Sequence, residues 1–267
     1  MKNIPIVCYL YTYFDSLQSL KNFKNNYLNY NAGLEHELLI CFKLIKQDEI
    51  KIITNKLEGL KYIQFIDPVQ KNDFDFGSYK RVSEKYSLRD ILFLNGHSYP
   101  VSENWLKKLM KYKRENTLIG TSASYESIAN SIKLKKKYKF ISYFLKLYRF
   151  KKNFFKFPNP HIRTSSFLIK GKLFLDFIKN KKINNKEDAW KIESGKESLT
   201  NYFKKKNYDI FVVNSDGKKY FENEWKLSET YNYRNQSKSI ISDKHTRKYL
   251  SLTEDEKLLY QLKNWGP

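Results

Sequence analysis

Ile91, Leu92, Phe93 and Leu94 form an unbroken apolar run, the clearest hydrophobic signal in the chain. A short run without alternation predicts a central strand covered on both faces. It leads into a polar turn, Asn95-Gly96-His97-Ser98, after which Pro100 blocks further pairing. A helix is expected from near Ser102, with Glu103 and Trp105 in its first turn. Polar residues just past the carboxyl end of such a strand stand where open α/β sheets bind ligands. An ordinary strand–loop–helix connection has the same pattern, and both readings stay open at this point.

The segments before this run alternate strand and helix patterns. Pro5–Tyr13 is rich in β-branched and aromatic residues and predicts the first strand. Leu17, Leu20, Phe23, Tyr27 and Leu28 then recur at spacings of three and four, a helix that Asp15 or Ser16 can cap and Asn31-Ala32-Gly33 stops. Glu37–Leu44 reads as a strand, Asp48–Leu57 as a short helix and Tyr62–Ile66 as a strand closed by Asp67-Pro68. Asn72–Ser78 precedes a helix to Tyr86. This alternation predicts an α/β fold, a mostly parallel sheet flanked by helices, with residues 1–125 as a Rossmann-like nucleotide-binding half.

Beyond the Leu118–Ser122 strand the pattern changes. Residues 133–156 hold ten Lys or Arg, eight aromatics and no acid. On a helical wheel Leu134, Tyr138, Ile141, Leu145 and Tyr148 make an apolar stripe, with Lys135, Lys139 and Lys146 beside it. A basic amphipathic helix of this kind suits an anionic membrane surface. A core helix with snorkelling lysines fits as well, and a nucleic-acid-binding arm fits less well. Ordered patterns resume with Ile162–Ile169 as a strand, Gly171–Ile178 as a helix, Ser194–Lys206 as a helix, Asp209–Val213 as a strand and a polar helix from Thr253.

Charge narrows the choice of partners. Fifty Lys and Arg against 28 Asp and Glu give a net charge of +22, which reflects either solubility or an anionic partner: nucleic acid, an acidic membrane or phosphorylated small molecules. No apolar run reaches the roughly 18 residues of a membrane span, and no cleavage pattern follows the apolar Ile4–Phe14. Cys8 and Cys41 lie in strand-like runs and read first as buried free thiols of a reducing compartment, with a disulfide as the second reading. A cytoplasmic protein is expected, placed at the inner face of the membrane if the basic segment docks there.

The order of motifs resembles the GT-A-type glycosyltransferases, and among them small bacterial enzymes that build cell-surface polysaccharide, including the rhamnan-synthesis type. The likeness is carried by Asp73–Tyr79 (DFDFGSY), Leu92–Ser98 (LFLNGHS) with Trp105, His161–Ile169 (HIRTSSFLI), Glu193–Thr200 (ESGKESLT) and Asp243–Tyr249 (DKHTRKY). It implies one GT-A-like domain over 1–267. Within it lie a nucleotide-sugar half (1–125), a basic aromatic insert (126–160), an acceptor and catalytic half (161–250) and a C-terminal helix (251–267). It further implies transfer of a sugar from a nucleotide-sugar donor to a hydroxyl of a surface glycan or lipid-linked precursor.

The resemblance also implies roles for residues. Thr12, Tyr13, Asp73, Asp75, Gly77, Asn95, His97 and Ser98 would face the donor. Helix-capping roles for Asp73 and Asp75 are equally compatible with the pattern. Where many members carry an Asp-x-Asp pair for a divalent ion, this chain has Asn95–Ser98. Mg²⁺ and Mn²⁺ prefer carboxylate oxygens, so dependence on either is in doubt, with His97 the available ligand. A phosphate-facing or metal role and a structural turn both stay open for His97. Glu193, taken as opening the helix before Asp209–Val213, is the expected base, with Asp188 as runner-up; charge complementing a helix N-terminus is the competing role for both. Arg163, Thr164 and Ser165 would face the acceptor or the leaving diphosphate, and His245 and Arg247 would close over the diphosphate. A carboxylate base points to inversion.

Two other functions fit parts of the sequence. A catalytically inactive relative that only binds glycans is compatible with the missing Asp-x-Asp. A nucleic-acid-binding protein matches the charge and aromatics. No recognised nucleic-acid module is present, so nucleic acid is not the expected partner.

Overall fold

The structure is a computed structural model that describes residues 4–131 and 140–267. The apolar run lies in β4 (Asp90–Leu94), buried along its whole length inside an eight-stranded sheet. On one side of β4 come β1 (Ile6–Thr12), β2 (Glu37–Lys43) and β3 (Ile63–Ile66), all parallel. On the other side come β9 (Ser166–Lys170), β6 (Thr117–Gly120), β10 (Asp209–Val213) and β11 (Lys219–Tyr220). β6 and β10 are parallel to each other, while β9 runs antiparallel to both β4 and β6, and β11 antiparallel to β10. The fold is therefore mixed α/β with a mainly parallel sheet.

Alternation along the strands divides the core into two layers. Val7, Tyr9, Leu38, Ile40, Leu92 and Leu94 pack on α1 (Leu17–Asn29), α2 (Gln47–Asn55) and α4 (Trp105–Met110). Ile6, Cys8, Cys41, Ile91 and Phe93 pack on the opposite face, against α3 (Phe74–Lys85), α6 (Gly171–Ile178), α7 (Lys186–Ser194) and α8 (Leu199–Lys205). Cys8 and Cys41 are buried free thiols, and burial raises the pKa of both. Two small ribbons pair β5 (Tyr99–Pro100) with β12 (Ile241–Ser242) and β7 (Ala123–Ser124) with β8 (His161–Ile162). α5 (Phe140–Asn153) lies outside the sheet layers, and α9 (Lys244–Leu250) and α10 (Glu254–Trp265) close the chain. No helix among the described residues is long and apolar enough to cross a membrane.

Several expected elements are redrawn. Pro100 ends β4's direction but itself joins the edge ribbon β5, and the following helix starts at Trp105 rather than near Ser102 because Asn104 adopts a left-handed φ of 56°. The strand expected over 162–169 is interrupted, since Arg163, Thr164 and Ser165 leave the ladder between β8 and β9. The helix expected over 194–206 begins only at Leu199, as α8, and Ser194 is instead the last residue of a separate helix, α7. Asn185 caps α7 by accepting the Asp188 amide, Gly195 ends it, and Ser198 caps α8 by accepting the Asn201 amide. Glu193 therefore sits in the last turn of α7 instead of opening the next helix. Leu134, Tyr138, Lys135 and Lys139 of the basic stripe lie outside the described residues.

Candidate active site

β1, β2, β4, β6 and β10 all end at one edge of the sheet, and antiparallel β9 begins there. This direction brings the 163–165 loop beside the turn after β4: the Asn95 amide donates to the Ser165 carbonyl at 3.0 Å. The turn holds itself together. The Asn95 side-chain oxygen accepts the His97 amide at 3.2 Å and the Ser98 hydroxyl at 2.8 Å, and Ser98 is fully buried. Asn95 and Ser98 thus shape the turn, while His97 keeps an exposed edge.

The turn after β1 supplies a residue that the sequence pattern had placed as a possible cap. Ser16 caps α1, and Asp15 instead folds back, accepting the Thr12 amide and the Thr12 hydroxyl, each at 2.8 Å. Its carboxylate lies directly over Gly96, where a Cβ would stand 2.2 Å from an Asp15 oxygen. His97 Nε2 is 3.5 Å from the other oxygen. Only a glycine at 96 lets the two loops close this far. Tyr13 and Phe14, neighbours in edge-to-face contact, project from the same turn and are largely exposed.

At the end of β2, Lys43 is buried and donates to Asp73, to the Phe74 carbonyl at 2.8 Å and to Ser78 at 3.3 Å. Arg81 grips the same carboxylate at 2.7 and 3.1 Å and reaches Asp67 at 2.6 Å. Burial opposes ionisation of Asp73, but the hydrogen bonds from Arg81 and Lys43 outweigh it and hold the carboxyl below its ordinary value. Gly77 makes this approach possible, since a Cβ there would fall 1.9 Å from the Asp73 carboxyl carbon. Asp73 therefore turns inward and organises the start of α3. Asp75, one helical step on, lines the cleft. Burial first, and then the charges of Asp15 and Glu193 against the relief from Lys43, push it up to about 6.

These parts enclose a cleft of about 400 Å³ lined by Thr12, Phe14, Asp15, Lys43, Asn72, Phe74, Asp75, Asn95, Gly96, His97 and Lys186. Hollows of about 510 and 540 Å³ lie elsewhere, beside Phe221 and beside Lys107. What distinguishes the smaller cleft is its convergence of two carboxylates with a histidine and two lysines at the carboxyl edge of the sheet, a setting in which perturbed groups mark functional sites. Lys186 opens α7 and shares a helical face with Glu193, seven residues on.

Glu193 accepts the Thr164 backbone amide at 3.2 Å. Its charge acts on His161, His245 and Arg163. His161 is buried, its Nδ1 2.8 Å from the Asn159 carbonyl, which fixes that nitrogen as the donor. Burial lowers the pKa of His161 and of His245 below the ordinary value, with the Glu193 charge pulling the other way on both. Arg163 is committed inward: Nη1 bonds Ser122 at 3.1 Å and Asp243 at 2.7 Å, and the guanidinium lies 3.7 Å from the centre of the Tyr231 ring. Burial alone would raise the pKa of Asp243; Arg163 reverses this and holds it well below the usual carboxylate range. Ser165 donates to the same Asp243 oxygen at 2.7 Å. These contacts pin the C-terminal segment against the 163–165 loop. Arg247 then reaches the His97 carbonyl at 3.1 Å from α9, its guanidinium over Tyr99.

Asp188 stands apart. It lies on the opposite face of α7 from Glu193, accepting the Asn184 amide at 3.1 Å and pairing with Lys191 at 3.3 Å, beside a different hollow. Among the described residues no three His, Cys, Asp or Glu side chains are grouped to hold a metal ion. Asn95 has its oxygen committed to the turn, so the donor set after β4 does not fit a hard divalent cation.

No family model matches the chain, and no curated protein matches it. Among solved structures it is similar to the apo form of the glycosyltransferase GlyE in Streptococcus pneumoniae TIGR4, with 12% identity and a TM-score of 0.49 over 98% of this chain and 64% of that one. It is similar to the apo bifunctional glycosyltransferase WbbM, with 7% identity and a TM-score of 0.45 over 98% of this chain and 44% of that one. A further likeness is to 4-diphosphocytidyl-2C-methyl-D-erythritol synthase from Anaerococcus prevotii DSM 20548, with 13% identity and a TM-score of 0.45 over 79% of this chain and 89% of that one. The chain thus spans less than two thirds of the two glycosyltransferase structures.

Proposed function

We propose that the protein is a glycosyltransferase that moves a sugar from a nucleotide-sugar donor to a hydroxyl of a cell-surface glycan or lipid-linked precursor, with inversion. The observation that carries this reading is the meeting of Asp15 and Asp75 in the cleft at the carboxyl edge of the sheet, with Glu193 near enough for its charge to act on Asp75. The motif order described above, which resembles that of GT-A-type glycosyltransferases, supports the same class.

In this reading the donor lies across the ends of β1 and β4. Exposed Tyr13 and Phe14 offer aromatic faces to the base. Carboxylates accept from sugar and ribose hydroxyls, and Lys186 and His97 face the diphosphate. Glu193 takes the proton of the acceptor hydroxyl as the acceptor oxygen bonds to the anomeric carbon. The bond from that carbon to the diphosphate oxygen breaks, and the nucleoside diphosphate leaves with the electron pair. Cationic side chains offset the charge that develops on the leaving group. No step is routed through a metal ion.

The test is a thermal-shift screen against UDP, GDP, dTDP and CMP, with and without Mn²⁺. Specific binding to the native state raises the melting temperature by mass action. A shift with one nucleotide, lost in Asp15→Ala, supports the reading. A flat response to all four overturns it.

A further inference from the structure

We propose that the outer face of α5, together with the lysine-lined hollow beside it, docks on an anionic phospholipid bilayer. Ile141, Leu145 and Tyr148 fall on one side of this helix and are 76%, 66% and 72% exposed. Phe150, half a turn round, is buried and packs with Phe154 and Trp190. The helix is thus held to the protein by one face while an apolar stripe looks outward. Core packing with snorkelling lysines describes only the Phe150 side, where the Lys146 ammonium lies 5.3 Å from the ring centre.

Charge identifies the occupant. The described helix carries Lys146, Arg149, Lys151 and Lys152 and no acid. At its C-terminal end Lys152 also lines a hollow of about 460 Å³ with Lys181, Lys182, Lys191 and Lys196, against two carboxylates, Asp188 and Glu197. An apolar stripe flanked by lysines and continued by a cationic basin matches an interface of acyl chains below anionic headgroups. A nucleic acid would reward the cations and could stack on Tyr148, but it would gain nothing from the exposed aliphatic Ile141 and Leu145 beside it. The 14 residues of α5 lie along about 21 Å of surface.

Co-sedimentation of the full chain with phosphatidylcholine vesicles, with and without phosphatidylglycerol, tests this independently of any transfer reaction, because neither donor nor acceptor is present. The wild type is expected to bind the mixed vesicles and not the neutral ones. Ile141→Asp combined with Leu145→Asp should weaken binding by ~10-fold or more. Lys152→Gln with Lys182→Gln should cost about 5-fold per lysine and flatten the salt dependence. Both pairs are solvent-facing, and an unchanged melting temperature checks that each variant is folded. Absence of binding, equal binding to neutral vesicles, or wild-type binding by the Ile141→Asp/Leu145→Asp variant would overturn the proposal. So would displacement from vesicles by single-stranded DNA with the apolar variant binding that DNA as well as the wild type does.

Discussion

The Glu193 carboxylate accepts the backbone amide of Thr164 at 3.2 Å, joining the last turn of α7 to the loop that enters β9. Charge complementarity does not explain a carboxylate here, because the carboxyl end of a helix is the wrong end for a negative charge. A glutamine can make the same contact through its amide oxygen, so Glu193→Gln keeps the loop tethered and removes the base. The expected outcome is a loss of about 10²–10⁴ in transfer rate with an unchanged melting temperature. Asp188→Asn, on the far side of α7, should leave the rate within a few-fold. Equal rates for Glu193→Gln and the wild type would remove Glu193 from the chemistry.

Gly96 and Asp15 occupy space that a methyl group would contest. In Gly96→Ala the Asp15 carboxylate must swing away or the turn after β4 must shift. The variant should fold, at a cost of about 1–3 kcal/mol, and bind the preferred nucleotide at least ~10-fold more weakly by calorimetric titration. Undiminished nucleotide affinity would show that Asp15 plays no part in the cleft.

Asp75 titrates near 6 in the folded protein and near its ordinary 3.8 once unfolded. Between these values the folded chain binds more protons than the unfolded one, so stability falls as pH climbs through this window and the penalty is constant above it. Asp75→Asn removes the penalty. Urea melts should show the variant more stable by roughly 1–3 kcal/mol at pH 8 and not at pH 4. The same substitution should weaken nucleotide binding, a trade of function against stability. A variant no more stable at pH 8 would argue against a destabilised carboxyl at this position.

Lys43 neutralises two buried or part-buried carboxylates that Arg81 alone cannot match. Lys43→Met leaves Asp73 and Asp67 sharing one cation, and such a broken buried pair costs about 3–5 kcal/mol. The urea midpoint should fall accordingly. Recovery of the midpoint in Lys43→Met/Asp73→Asn would show that the unmatched charge, not the lost packing, is responsible.

The turn after β4 was legible because four consecutive apolar residues and a proline frame it, and the alternation of β and α patterns gave the parallel half of the sheet. Asp15 was not legible as a site residue. An acid beside Ser16 at a helix start reads as a cap, and its real position depends on contact with Gly96, eighty-one residues away. Arg163 showed the reverse: it reads as a free cation, but Asp243 and Tyr231, far along the chain, turn it inward. The Lys43–Asp73–Arg81 network was invisible for the same reason. Glu193 reads as opening a helix because neither the Asn185 cap nor the break at Gly195, which make it the end of α7, stands out in the pattern. Lys186 reads as one exposed lysine among many.

β9 enters the sheet against the grain, between β4 and β6, after most of the other strands have been made. During synthesis the β4 edge has no partner on that side until Ser166–Lys170 emerges, which takes the 71 residues between Leu94 and Ser166. At ribosomal speeds this is roughly 4–14 s of an apolar strand with an open row of amides and carbonyls. A nascent chain arrested in that interval is sticky along one edge, so the β4 edge is a natural place for a chaperone to hold it.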